Sequence, residues 1–142
     1  MREDKVLYTG GTFDLFHAGH VTFLRHCRNI ADRVVVGLNT DEFIEQFKGK
    51  KPVISYFERR EVLLACKYVD EVMPNVGGED SKPAILMAQA NIIAIGVDWA
   101  YKDYYVQMGF TQEWLERQKI TLVYVAIDKN QSSTNIKEKI GT

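Results

Sequence analysis

The sequence predicts an α/β domain, a doubly wound parallel sheet with helices on both faces, and three observations carry that reading. Strand-like and helix-like segments alternate along the chain. The strand-like segments, such as Val34-Val35-Val36 and Ile92-Ile93-Ala94-Ile95, are unbroken apolar runs, the pattern of strands covered on both faces. Glycine or proline punctuates the ends of these runs, as at Gly10-Gly11 and Pro74, where turns are expected. Right-handed crossovers then give a Rossmann-like order, in which ligands bind at the carboxyl ends of the strands, near the point where strand order reverses. At 142 residues the chain matches one domain, taken as 1–142.

Each element has its own local reason. Val6-Leu7-Tyr8 is a short strand that ends in a tight turn at Thr9-Gly10-Gly11-Thr12. From His20 to Ile30 the apolar residues Val21, Phe23, Leu24, Cys27 and Ile30 recur at helical spacing. Arg33 to Leu38 is the second strand. Thr40 and Asp41 cap a short helix through Phe47, followed by the basic loop Lys48-Gly49-Lys50-Lys51-Pro52. Tyr56 to Tyr68 reads as a helix with Val62, Leu63, Leu64, Ala65 and Tyr68 on its buried side, and Glu71 to Met73 as a strand stopped by Pro74. After a loop over Asn75 to Ser81, Pro83 suits the first turn of a helix reaching Ala90. Ile92 to Gly96 and Thr121 to Val125 are strands. Between them lie an irregular aromatic stretch and a helix from Thr111 to Gln118, and a last helix spans Ser132 to Ile140. The crevice is therefore expected after Tyr8, Leu38, Ile95 and Val125.

Composition narrows the function. Hydrophobic residues make up 46% and charged residues 26%, the balance of a globular protein. Eighteen Lys and Arg against 19 Asp and Glu leave a net charge of -1, which argues against a general nucleic-acid binder. The charged N-terminus has no apolar core of a signal peptide, and no run approaches the roughly 20 apolar residues of a membrane span. A cytoplasmic protein with no nucleic-acid or membrane partner is expected. Cys27 and Cys66 lie far apart in apolar-periodic stretches, which fits buried free thiols rather than a disulfide or a metal site.

The most informative segment is Gly10-Gly11-Thr12-Phe13-Asp14-Leu15-Phe16-His17-Ala18-Gly19-His20. It follows the first strand and opens the first helix. Its glycines permit close approach of backbone to ligand, and the free N–H groups of a helix start attract phosphate. His17 and His20, three apart, are able to face one bound group, where imidazoles stabilise charge that grows in a transition state. A zinc site is the rival chemistry, but His26 is the only other histidine and no thiolates cluster nearby. No protein-built metal site is expected.

Gly11-Thr12-Phe13-Asp14-x-x-His17-x-Gly19-His20 resembles the signature of the cytidylyltransferase family of HxGH nucleotidyltransferases. The resemblance is closest to the bacterial glycerol-3-phosphate cytidylyltransferases. It continues through Asn39-Thr40-Asp41-Glu42-Phe43, Ser55-Tyr56-x-x-Arg59, Lys67-Tyr68-Val69-Asp70-Glu71-Val72, Gly96-x-Asp98-Trp99 and Ser132-Ser133-Thr134-x-Ile136-Lys137-Glu138, so it covers nearly the whole chain in order. It implies transfer of CMP from CTP to a small phosphorylated alcohol, glycerol 3-phosphate first, giving CDP-glycerol and pyrophosphate. Phosphoethanolamine, phosphocholine or another polyol phosphate is the alternative acceptor, and adenylyl transfer from ATP, as in FAD synthetase-like relatives, the alternative reaction. A non-catalytic nucleotide-binding module is the rival from outside the enzymes.

The resemblance also assigns residues. His17, His20 and Lys48 are the expected catalytic groups. Gly10, Gly11, Thr12, Phe13, His17, His20, Lys50, Asp98, Trp99, Lys129, Ser132, Ser133 and Thr134 are expected at the nucleotide, and Lys48, Arg59, Lys67 and Lys82 at the acceptor. Mg²⁺ is expected on the CTP phosphates rather than in a carboxylate cage, and a homodimer is expected by resemblance alone. Taken without it, the lysines read as a solvated loop, Arg59 and Lys67 as exposed ion-pair residues, and Ser132 to Thr134 as ordinary helix caps. The chain departs from the family over Asp128-Lys129-Asn130-Gln131, where arginine and glycine are missing, and over the aromatic stretch Tyr101 to Gln118, which is expected to border the acceptor pocket.

Overall fold

A computed structural model describes residues 4–96, 109–125, 136–137 and 139–141. Five strands, β1 (Val6–Gly11), β2 (Arg33–Leu38), β3 (Glu71–Pro74), β4 (Ile92–Gly96) and β5 (Thr121–Val125), alternate with the helices α1 (Ala18–Ile30), α2 (Asp41–Lys48), α3 (Tyr56–Ala65), α4 (Lys82–Ala88) and α5 (Gln112–Arg117). The strands form one sheet in the order β3-β2-β1-β4-β5, with every pairing parallel. This is the doubly wound, Rossmann-like α/β fold expected, and strand order reverses between β1 and β4.

Successive side chains of a strand face opposite sides of the sheet, and the apolar runs use both. Leu7, Val34 and Val36 join Phe23, Leu24, Cys27 and Leu63 in one core. Tyr8, Val35 and Ile93 join Ala84, Ile85, Phe110 and Leu115 in the other. The amino ends of the strands are closed by polar ties. Asp32 accepts the Lys5 N–H at 2.8 Å, Asn91 accepts that of Val6 at 2.8 Å, and Asp70 accepts that of Val34 at 2.8 Å while pairing with Arg28. The carboxyl ends, where sheets of this kind bind ligands, lie at the opposite edge.

Several boundaries differ from expectation for physical reasons. β1 runs on to Gly11, in register with Leu38, so Gly10 and Gly11 belong to the strand rather than to the turn. The Tyr8 ring lies along this strand pair, and a Cβ on Gly37 would fall 2.0 Å from its oxygen, which explains a glycine inside so valine-rich a strand. α1 begins two residues before His20. Lys48 is the last helical residue of α2 rather than a loop residue, and Gly49 (φ 79) closes that helix in the left-handed region by donating to the Glu45 carbonyl. α3 stops at Ala65, short of Tyr68, and buries Arg59 and Leu63 while Val62 and Leu64 are exposed. Arg59 takes an inward slot because polar partners await it there. α4 ends at Ala88, with Gln89 (φ 55) as its left-handed cap. Cys27 is buried and Cys66 half-buried, both as free thiols. Among the described residues no helix is long and apolar enough to cross a membrane. Of the expected last helix, Ile136 and Lys137 are helical, with the Ile140 N–H on the Ile136 carbonyl at 3.2 Å.

Candidate active site

The site is built on the connection from β1 to α1, beside the strand-order reversal. Phe13 (φ 49) and Leu15 (φ 52) are both left-handed, a conformation that costs a non-glycine residue about 1–2 kcal/mol. The Phe13 ring folds back on Gly11, where a Cβ would meet Cε2 at 2.9 Å. Three side chains hold this turn. The Arg59 Nη1 donates to the Thr12 carbonyl at 2.8 Å, the Asn39 Nδ2 donates to the Thr12 hydroxyl at 3.1 Å, and the Asp14 carboxylate accepts from a neighbouring segment.

His17 caps α1 without the usual hydroxyl or carboxylate. Its Nδ1 accepts the Gly19 N–H at 3.0 Å, while the His20 Nδ1 accepts the His17 N–H at 3.2 Å, a reciprocal capping box made from two imidazoles. The rings stack with centroids 3.8 Å apart and planes 25° from parallel. Because each Nδ1 accepts an amide proton, each neutral ring carries its own proton on Nε2. Desolvation lowers the pKa of His17 below the ordinary imidazole value. Desolvation and the neighbouring His17 lower that of His20 to about 4, against an opposing pull from Asp14. Near neutral pH the pair is therefore two uncharged Nε2–H donors at a helix N-terminus, suited to phosphate oxygens.

Arg59 is only 2% exposed. Four of its five N–H groups reach protein acceptors: Nε the Ile54 carbonyl at 2.9 Å, Nη1 the carbonyls of Thr12 at 2.8 Å and Asn39 at 3.0 Å, and Nη2 Asp41 at 2.6 Å. The exposed side chain expected of it is not found: the guanidinium is buried, it ties the Thr12, Asn39 and Ile54 backbone together, and its ion pair is with Asp41. Asp14 is a buried group of the motif turn that the sequence reading did not place at the site. Its carboxylate is 4% exposed and accepts the N–H groups of Val53 at 2.8 Å and Ile54 at 2.9 Å, and Lys137 lies 3.4 Å from Oδ2. The signal was present in the motif, but its partners lie about 40 and 120 residues away. A further amide chain runs from Thr12 through Asn39 to Asn75, whose Nδ2 donates to Asn39 Oδ1 and to the Gly78 carbonyl, each at 3.1 Å.

The cations divide. Lys48, Lys50 and Lys51 are exposed at the end of α2 and beyond it, just before the Val53–Ile54 segment that Asp14 holds. Lys82 opens α4 on the same edge of the sheet, and its Nζ reaches Asp80 at 3.0 Å and the Gly109 carbonyl. Lys67 does not join them. It lies between α3 and β3, at the opposite end of the strands, with its Nζ 5.2 Å from the Tyr68 ring centroid, because α3 runs antiparallel to the sheet and carries its last residues away from the crevice. Asp98, Trp99, Lys129, Ser132, Ser133 and Thr134 lie outside the described residues. Of the stretch Tyr101 to Gln118, residues 109–118 are described, and there Phe110 and Trp114 stack with centroids 6.0 Å apart against the core. Phe110 and Leu115 thus belong to the core, while Gly109 meets Lys82. Among the described residues no three His, Cys, Asp or Glu side chains gather as a metal site requires.

Fold and site together define a nucleotide-binding α/β domain whose first strand delivers a histidine pair to a helix N-terminus. Residues 8–139 match the model of the cytidylyltransferase-like family, and the chain belongs to that family. It is 36% identical over 136 residues to a glycerol-3-phosphate cytidylyltransferase of Bacillus subtilis, covering 96% of this chain and 97% of that one. It is 37% identical over 140 residues to the bifunctional protein HldE of Magnetococcus marinus, covering 96% of this chain and 27% of that protein. Among solved structures, a lipopolysaccharide core biosynthesis protein of Thermoplasma volcanium shares the fold, with a TM-score of 0.71 at 24% identity over 89% of this chain and 98% of that one.

Proposed function

We propose that this enzyme transfers CMP from CTP to the phosphate of a small phosphorylated alcohol, with glycerol 3-phosphate the best single acceptor, giving CDP-glycerol and pyrophosphate. One observation carries the reading: two neutral imidazoles, locked through Nδ1, sit stacked at the N-terminus of α1 where strand order reverses. Family membership and the full-length relative supply the nucleotide and the acceptor class.

The reaction needs little covalent help from the protein. An oxygen of the acceptor phosphate attacks the α-phosphorus of CTP in line, the bond from that phosphorus to the bridging oxygen breaks, and pyrophosphate leaves. The barrier is charge and alignment, so catalysis is positioning together with electrostatic stabilisation. His17 and His20 donate from Nε2 to oxygens of the α-phosphate and of the leaving side, and their neutrality leaves both Nδ1 atoms free to hold the backbone. The N-terminus of α1 adds its partial positive charge. Lys48 and Lys50 gather phosphates of the two substrates. Gly10, Gly11, Thr12 and Phe13 shape the wall against which the nucleotide lies, while Asp98, Trp99, Lys129, Ser132, Ser133 and Thr134 complete its ribose, base and phosphate contacts by resemblance. Lys82 stays at the acceptor edge.

Mg²⁺ fits as an ion carried by the triphosphate, because Asp14, the carboxylate nearest the turn, is engaged by two amides and Lys137. When bound there it offsets charge on the phosphates. The working unit is a homodimer in the cytoplasm. The test is pyrophosphate release with CTP and with ATP across glycerol 3-phosphate, phosphoethanolamine, phosphocholine and sugar phosphates. Turnover with CTP and a polyol phosphate is the expected result, and turnover with ATP alone would move the enzyme to adenylyl transfer.

A further inference from the structure

The three phosphate-handling segments of the proposed site come from distant parts of the chain: the histidine turn, the lysine segment after α2, and the C-terminal helix. All three meet at Asp14. Its Oδ1 accepts the Ile54 N–H at 2.9 Å, and its Oδ2 accepts the Val53 N–H at 2.8 Å and lies 3.4 Å from the Lys137 Nζ. The lysine segment is thus pinned at both ends, by the Gly49 cap on α2 and by Asp14 after Pro52. Between the pins stand Lys50 and Lys51, exposed. Ile54 is doubly held, since its carbonyl accepts from Arg59 at 2.9 Å. On its other side Asp14 is flanked by the left-handed residues Phe13 and Leu15, so a shift of its carboxylate is transmitted into the turn that carries His17 and His20.

We propose that Asp14 is a positioning residue that couples the lysine segment to the C-terminal helix, so that a triphosphate engaged by one fixes the other against the histidine turn. The coupling rests on the nucleotidyl-transfer reading for its purpose, but not for its test. A carboxylate is suited to this junction because two backbone N–H groups and an ammonium need three acceptor positions, and a neutral amide offers a single oxygen. Lys137 is the accessible member of the pair: its side chain is 36% exposed, whereas that of Asp14 is 5% exposed.

The experiment compares the wild-type enzyme with Asp14→Asn, Lys137→Met and the double variant. Limited trypsin digestion is read by mass spectrometry at the Lys48–Gly49 and Lys50–Lys51 bonds, with and without CTP or ATP, and steady-state kinetics are run alongside. CTP should slow cleavage of the wild-type segment at least tenfold. Lys137→Met, a change on the last helix, should abolish most of that protection and raise the KM for CTP about tenfold while kcat changes less than threefold. Asp14→Asn should speed cleavage even without nucleotide, and the double variant should match it rather than multiply the two effects. Wild-type protection retained in Lys137→Met would overturn the proposal, as would independent effects in the double variant or a wild-type segment that neither nucleotide protects. Lys137→Met lies on the surface, so that arm stands even if Asp14→Asn does not fold. Protection lost in Lys137→Met in a chain that transfers no nucleotide would uphold the coupling and defeat the transfer reaction.

Discussion

Replacing Arg59 with methionine separates a brace from a ligand. Methionine keeps most of the buried length of the side chain but removes every donor. The carbonyls of Thr12, Asn39 and Ile54 and the Asp41 carboxylate each lose a hydrogen bond. Each buried carbonyl left without a donor costs roughly 1–3 kcal/mol. The Asp41 side chain is 31% exposed, so water replaces that partner cheaply and its share is about 1 kcal/mol or less. Water reaching part of the turn trims the carbonyl costs as well, and the total is about 3–5 kcal/mol. For a domain of this size that lowers Tm by roughly 10–20 °C. The assay is thermal unfolding beside urea titration, with KM measured at a temperature where the variant stays folded. Arg59→Lys should recover the charge but not the forked geometry, and so less than half of the loss. An Arg59→Met variant with unchanged Tm and a raised acceptor KM would refute the bracing role and restore Arg59 as an acceptor ligand.

Three further outcomes are expected. His17→Ala and His20→Ala should each lower kcat by about two to three orders of magnitude in pyrophosphate release, with a stability loss of about 0.5–2 kcal/mol from the lost cap; rates near wild type would remove the catalytic assignment. His20 has its folded pKa near 4, below the unfolded value of about 6.5, so the unfolded chain binds more protons between those values and stability falls as pH falls through that window. From pH 7 to pH 5 its contribution should decline by about 1–2 kcal/mol after allowance for solvent, read as the difference between wild type and His20→Ala in urea titrations at the two pH values; equal slopes in the two proteins would contradict it. The Tyr8 hydroxyl is buried with no hydrogen-bond partner among the described residues, so Tyr8→Phe should leave stability unchanged or raise it by about 1 kcal/mol, and a loss above about 1 kcal/mol in thermal unfolding would mean that the hydroxyl has a partner.

The sheet was legible because its runs are unambiguous: β2, β4 and β5 fall where the apolar residues of 33–38, 92–96 and 121–125 stand. The histidine pair was legible too, since spacing and flanking glycines alone place it at a strand-to-helix junction. What local pattern hid were partners distant in sequence. Arg59 looks like any helix-surface cation until Thr12 and Asn39 arrive from 47 and 20 residues away, and its inward turn displaces the buried face of α3 and leaves Val62 and Leu64 outside. Asp14 is visible in the motif, but its hold on Val53, Ile54 and Lys137 is a property of the folded chain. Lys67 misled for the opposite reason: spacing along a helix specifies a face, not which end of the sheet that face reaches. The cap on α1 was missed because imidazoles stand in for the usual Ser, Thr or Asp.

The most direct test of the central claim is a phosphorus NMR time course of the enzyme with Mg²⁺, CTP and glycerol 3-phosphate. Pyrophosphate and a cytidylylated diphosphate product should appear one for one as both substrates disappear, and His17→Ala should suppress the two signals together. CTP that remains intact while bound, or pyrophosphate released without a matching diphosphate product, would contradict it.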